Sequence, residues 1–93
     1  MANTVDILTR DVTVINELGL HARSAAQIAE LARQASGNVW VIKDDREADA
    51  TSIIDILTLS ASQGSRLTLR IDDRDDEAIL QQITELIEDG FGE

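Results

Sequence analysis

Between Ala22 and Ala35, the residues Ala22, Ala25, Ile28, Ala29, Ala32 and Ala35 recur at spacings of three and four, with Arg23, Gln27, Glu30 and Arg33 between them. That period marks a helix with one buried face. The face is mostly alanine, so the helix backbone can lie close against a sheet. The rest of the chain offers strands for such a sheet. Arg10 to Asn16 alternates, with Val12, Val14 and Asn16 on one side and Thr13 and Ile15 on the other, and is rich in β-branched residues. Val39 to Ile42 is a strong strand, Lys43 to Arg46 a polar turn, and Glu47 to Ala50 a short return strand. Leu67, Leu69 and Ile71 alternate with Arg66, Thr68 and Arg70, the pattern of a half-buried strand.

The boundaries carry their own signals. Gly19 breaks the chain before the first helix, and Gly37 in Ser36-Gly37-Asn38 suits the position just past its end. A last helix begins near Asp73 or Arg74. Asp72 or Asp73 can cap it, Asp75, Asp76 and Glu77 favour its N-terminal dipole, and Gly90 ends it. Its core stripe is Ile79, Leu80, Ile83, Leu86 and Ile87. Ser52 to Leu59 is apolar on nearly every side, so periodicity leaves a buried strand and a short helix both open. The order of elements predicts a two-layer α+β sandwich, with helices on one face of a mostly antiparallel sheet and the other face solvated.

Composition narrows function by exclusion. Ninety-three residues fit one domain, 1–93, with residues 1–8 too weakly patterned to hold a firm place and expected to fray. A formal net charge of −10 argues against a nucleic-acid partner. No cysteine means no disulfide framework, thiol nucleophile or thiolate metal site, and one histidine cannot form a His-pair zinc site. No apolar run approaches the roughly 20 residues of a membrane span, and no signal-peptide pattern opens the chain. The expectation is a cytoplasmic monomer without membrane insertion, metal or cofactor.

His21 alone has an unperturbed pKa near neutrality. It stands between a glycine turn and the first residue of a helix. The first N–H groups of a helix lack internal partners and, with the helix dipole, favour an anion. The same field disfavours imidazolium and keeps the ring nucleophilic. Arg23 brings a guanidinium suited to phosphate oxygens near the same point. Those groups together describe a place to hold a phosphoryl group on histidine; an ordinary helix cap or surface histidine is the plain alternative. The adjacent acids Asp44-Asp45 and Asp72-Asp73 belong to a turn and a cap rather than to acid–base catalysis.

Gly19-Leu20-His21-Ala22-Arg23-Ser24-Ala25 resembles the active-site signature of the HPr phosphocarrier family, Gly-Leu/Ile-His-Ala-Arg-Pro-Ala. That family belongs to the phosphoenolpyruvate-dependent sugar phosphotransferase system. Ser52-Ile53-Ile54 followed by Gly64 is similar to its second signature, and Gly90-Phe91-Gly92-Glu93 to its C-terminal tail. The resemblance runs from about Thr9 to Glu93. It implies an open-faced β-sandwich, a four-stranded antiparallel sheet with three helices on one face, and makes Ser52 to Thr58 the short helix. It implies that His21 takes a phosphoryl group on Nδ1 from enzyme I and passes it to IIA-type domains. Arg23 steadies the phosphate, and Gly19, Ala22 and Ser24 shape the helix start around it. The protein is then a carrier and not a turnover enzyme, and its sugar is set by the downstream permease. Docking falls to Ile53, Ile54 and Leu57. Ser52 is either only a helix cap, a role open to Thr51 too, or also the target of an HPr kinase/phosphorylase. The latter would make the chain a regulatory module without a link to sugar flux.

Four features depart from the family pattern. Ser24 replaces proline, which suggests a looser helix start; Glu30 and Asp55 put acids near the docking face; Ser60 replaces a common glycine. Residues 66–93 hold nine acids against three bases, so docking is where this chain should differ most from its relatives, as a nitrogen-related or regulatory branch would.

Overall fold

The computed structural model describes residues 7–93. Strand β1, Leu8–Thr13, leads through α1, Ala22–Ala32, to the hairpin of β2, Val39–Lys43, and β3, Arg46–Asp49. Helix α2, Ile53–Leu57, then leads to β4, Arg66–Ile71, and α3, Glu77–Glu88, completes the second layer. The sheet order is β1-β4-β2-β3, and every neighbouring pair is antiparallel. Each helical crossover therefore spans one strand: β4 lies between β1 and β2, and β2 between β3 and β4. The three helices cover one face, as the pattern predicts.

The core is what the two periods supply. Val12 from β1, Leu67, Leu69 and Ile71 from β4, and Val39 and Val41 from β2 face Ala25, Ile28 and Ala32 of α1 and Leu80, Ile83 and Ile87 of α3. Helix α2 adds Ile56, which has no exposed surface. On the open face Arg70 stacks over Trp40 at 5.4 Å and pairs with Glu47 at 3.1 Å, so charge and an aromatic plane share the solvated side.

Several boundaries differ from expectation for local reasons. Strand β1 begins and ends earlier than Arg10 to Asn16, because its partner β4 starts at Arg66. Val14 bonds instead to the loop, donating to the Ser65 carbonyl at 2.9 Å and accepting from Gly64 at 2.7 Å. Leu8 already pairs with Ile71; the rest of the expected fraying, apart from exposed Ile7, lies outside the described residues. Helix α1 stops at Ala32, because Gln34 and Ala35 turn back to carbonyls only three residues away. Gly37 is therefore not its C-terminal cap. The N–H groups of Ser36 and Gly37 each donate at 2.8 Å to the carboxylate of Asp76, which is 4% exposed. Asp76 thus ties the end of α1 to the start of the last helix, a role nothing in its acidic run announces. That helix opens as a 3₁₀ turn, Arg74–Asp76, capped by Asp73. Ala22 is exposed rather than part of the inner stripe; Ser24 is buried in its place.

Candidate functional site

The loop before α1 is fixed at three points. Gly19 turns at φ +63°, its N–H donating to the Asn16 carbonyl at 3.1 Å. Leu20 is buried and its N–H donates to the Ala61 carbonyl at 2.9 Å. His21 follows as the N-cap of α1, with extended backbone and Nδ1 accepting the Arg23 N–H at 3.3 Å. Ser24, with no exposed surface, completes a capping box by accepting the His21 N–H at 2.9 Å. Its hydroxyl also lies 3.2 Å from the carbonyls of Gly19 and His21. Where the family has proline, a buried hydroxyl with partners on both sides occupies the helix start.

The other edge of His21 meets Glu93, which the sequence marks only as part of a C-terminal tail. Nε2 lies 2.7 Å from Oε2 of Glu93. Asn16 Nδ2 donates to Glu93 Oε1 and to the Gly19 carbonyl, each at 3.0 Å. Phe91 anchors this arm: it is buried, with φ +60°, between two glycines also at positive φ. A lone phenylalanine flanked by glycines was the available signal for a pinned tail. The His21 contact holds the Glu93 carboxyl below the usual carboxylate range, with the Asn16 bond second and partial burial opposing. The stabilisation from this pair is therefore present above the unfolded carboxyl's pKa and is lost as pH falls through the lowered folded value.

His21, Arg23, Asn16 and Glu93 line an open cleft of about 470 Å³, with Ile15 and Leu18 on its rim. Leu18 is 68% and Ile15 52% exposed, an apolar rim that alternation alone did not mark. Two smaller clefts, of about 260 and 230 Å³, lie beside Asp11 and Arg66; the first shares Ile15 with the His21 cleft, and neither is lined by His21, Arg23 or Ser52. Among the described residues, no group of three or more histidines and acids is placed to hold a metal.

Helix α2 divides the expected docking residues. Ile54 is 77% exposed, whereas Ile53 and Leu57 pack partly against the core. Ser52, not Thr51, is the cap: its hydroxyl accepts from the Asp55 N–H at 3.2 Å, while Thr51 bonds to Asp49. The Asp55 carboxylate is engaged, accepting the Asp49 N–H at 2.6 Å. Ser60 lies at φ +50°, in the left-handed region that favours glycine.

The open-faced sheet presents its histidine at a helix N-terminus, beside an arginine and in an open cleft, an arrangement suited to holding a phosphoryl group at the surface. Residues 8–89 match the family described as PTS HPr component phosphorylation site. The phosphocarrier protein HPr of Cupriavidus necator is 39% identical over 87 residues, covering 94% of this chain and 98% of that one. The phosphocarrier protein NPr of Shewanella violacea is 35% identical over 86 residues, covering 92% and 94%. The crystal structure of an HPr from Thermoanaerobacter tengcongensis superposes with a TM-score of 0.86 at 36% identity, covering 92% of this chain and 97% of that one. The chain belongs to the HPr family of phosphocarrier proteins of the phosphotransferase system.

Proposed function

We propose that His21 accepts a phosphoryl group on Nδ1 from the phosphohistidine of enzyme I and passes it to IIA domains, in the cytoplasm and as a monomer. The observation that carries this reading is His21 at the N-terminus of α1, with Arg23 lining the same open cleft. The incoming phosphate meets the N-terminal end of α1 and a guanidinium, and the Arg23 N–H that donates to Nδ1 is released to a phosphoryl oxygen as that nitrogen bonds to phosphorus. The donor's P–N bond breaks as the Nδ1–P bond forms, and the electron pair returns to the donor ring. Incubation with phosphoenolpyruvate and enzyme I should give one phosphate per chain that is labile in acid and stable in alkali. An unlabelled or acid-stable product would refute the assignment.

Docking uses Ile54 on α2, with Leu18 on the cleft rim as a second apolar contact, since both are far more exposed than Ile53 and Leu57. Ile54→Ala should change stability by less than about 0.5 kcal/mol. It should weaken binding to enzyme I by roughly tenfold, a loss of about 1.4 kcal/mol, measurable by calorimetry. A regulatory role through Ser52 has weaker support. Its hydroxyl already caps α2, and a phosphate there would enter beside the carboxylates of Asp49 and Asp55.

A further inference from the structure

Asn16 is 7% exposed, at the end of an apolar stripe that includes Val12 and Val14, where a polar amide is unfavourable unless it is used. Its two amide hydrogens go to the Gly19 carbonyl and the Glu93 carboxylate, and its own Oδ1 has no partner. Burying an amide at that expense makes sense if its product is a fixed position for Glu93. The carboxylate so held meets Nε2 of His21 at 2.7 Å, while Nδ1 faces the Arg23 N–H at 3.3 Å.

We propose that Asn16 and Glu93 are positioning residues that set the tautomer of His21 and so select Nδ1 as the attacking atom. The proposal rests on His21 being the phosphoryl acceptor. An ionised carboxylate can only accept a hydrogen bond, so Nε2 carries the ring hydrogen and Nδ1 keeps its lone pair. That lone pair points to the helix N–H groups where the phosphoryl oxygens settle. As Nδ1 bonds to phosphorus, positive charge develops on the ring, the hydrogen stays on Nε2, and Glu93 faces it as counter-charge. Of the charged groups lining the cleft, Glu17, Arg23 and Glu93, Glu93 is the one whose side chain contacts the ring. Glu93 thereby favours the protonated phosphoimidazole, the form with the better leaving group for onward transfer.

Nitrogen-15 NMR of His21 tests this without any phosphoryl donor. The neutral wild-type ring should be predominantly the Nε2–H tautomer. Glu93→Ala should give a mixture, and Asn16→Ala a smaller change in the same direction. Glu93→Gln, which retains an acceptor oxygen but no charge, should keep the tautomer. In the phosphorylated protein, the Nε2 titration should move to lower pH by about half a unit or more in Glu93→Gln and Glu93→Ala. A wild-type tautomer and an unchanged titration in Glu93→Ala would overturn the proposal. Failure of wild-type labelling would instead overturn the acceptor assignment, with the tautomer still readable on the unmodified ring.

Discussion

His21→Ala is expected to abolish phosphate uptake from enzyme I altogether and to leave the fold in place. The two halves of that result have separate physical origins. Loss of label follows from chemistry, since the chain holds one histidine, and the amide and indole nitrogens of its other side chains have delocalised, non-nucleophilic lone pairs. Preservation of the fold follows from the capping geometry. Of the two side-chain bonds lost, the one from the Arg23 N–H to Nδ1 is long at 3.3 Å, and the Nε2–Glu93 contact at 2.7 Å lies at the solvent-accessible cleft, where a pair contributes little. The bond that closes the helix start, from the His21 N–H to Ser24 Oγ at 2.9 Å, uses backbone and survives the substitution. The penalty should therefore be near the lower end for a cap, about 0.5 kcal/mol. For a chain of this size that is a fall in Tm of roughly 2–4 °C, readable by circular dichroism. Arg23→Ala offers the graded comparison: the acceptor remains, but one charge that steadies the phosphate is gone. Its transfer rate should drop about 100-fold at an unchanged Tm. Residual labelling of His21→Ala equal to that of Arg23→Ala would mean that the phosphate sits elsewhere.

How far the sequence reveals this molecule depends on whether the deciding interaction is periodic. The sheet and its helical cover were legible because alternation in Arg66 to Ile71 and the alanine stripe in α1 each name a buried face. Ser52 to Leu59 was not legible by periodicity, since five residues of helix make barely more than one turn; the Ser52 cap and the partners of Ile56 decide it. His21 and Arg23 were legible as a pair because both sit in one contiguous motif. Asn16 and Glu93 were not, because 77 residues separate two side chains that meet only after the sheet has closed. The buried carboxylate of Asp76 belongs to the same kind: in the sequence it is one acid among several, and in the fold it satisfies two N–H groups past the end of α1. Ser24 shows a substitution that context recasts. A serine in place of proline reads as looser, yet its hydroxyl is buried and bonded at the helix start.

Gly19→Ala is expected to be the most destabilising single change at the site, at about 3 kcal/mol, or a Tm fall of roughly 12–24 °C. Two effects combine. Gly19 lies at φ +63°, where an L-residue costs about 1 kcal/mol. The added Cβ would also sit 2.5 Å from the Ala61 carbonyl oxygen and 2.8 Å from the Ser62 Cα. Both are backbone atoms, and neither is free to retreat. The Ala61 carbonyl accepts from Leu20 at 2.9 Å, and the Ser62 N–H donates to Ser65 Oγ at 3.0 Å. Relief must then come from Gly19 itself, whose carbonyl holds the Asn16 amide and faces the Ser24 hydroxyl. Gly64→Ala separates the two effects, because Gly64 also has positive φ, +91°, but nothing lies within 4 Å of its Cβ position. It should lose only about 1 kcal/mol, the dihedral share. Chemical denaturation of both variants measures the difference, and equal losses would show that the close approach of Gly19 to Ala61 and Ser62 contributes nothing. The same contrast extends to function. Displacing the Gly19 carbonyl disturbs Asn16 on one side and Ser24 on the other, the two residues that hold the ring edge and the backbone of His21. Phosphate uptake should therefore slow in folded Gly19→Ala and stay at the wild-type rate in Gly64→Ala.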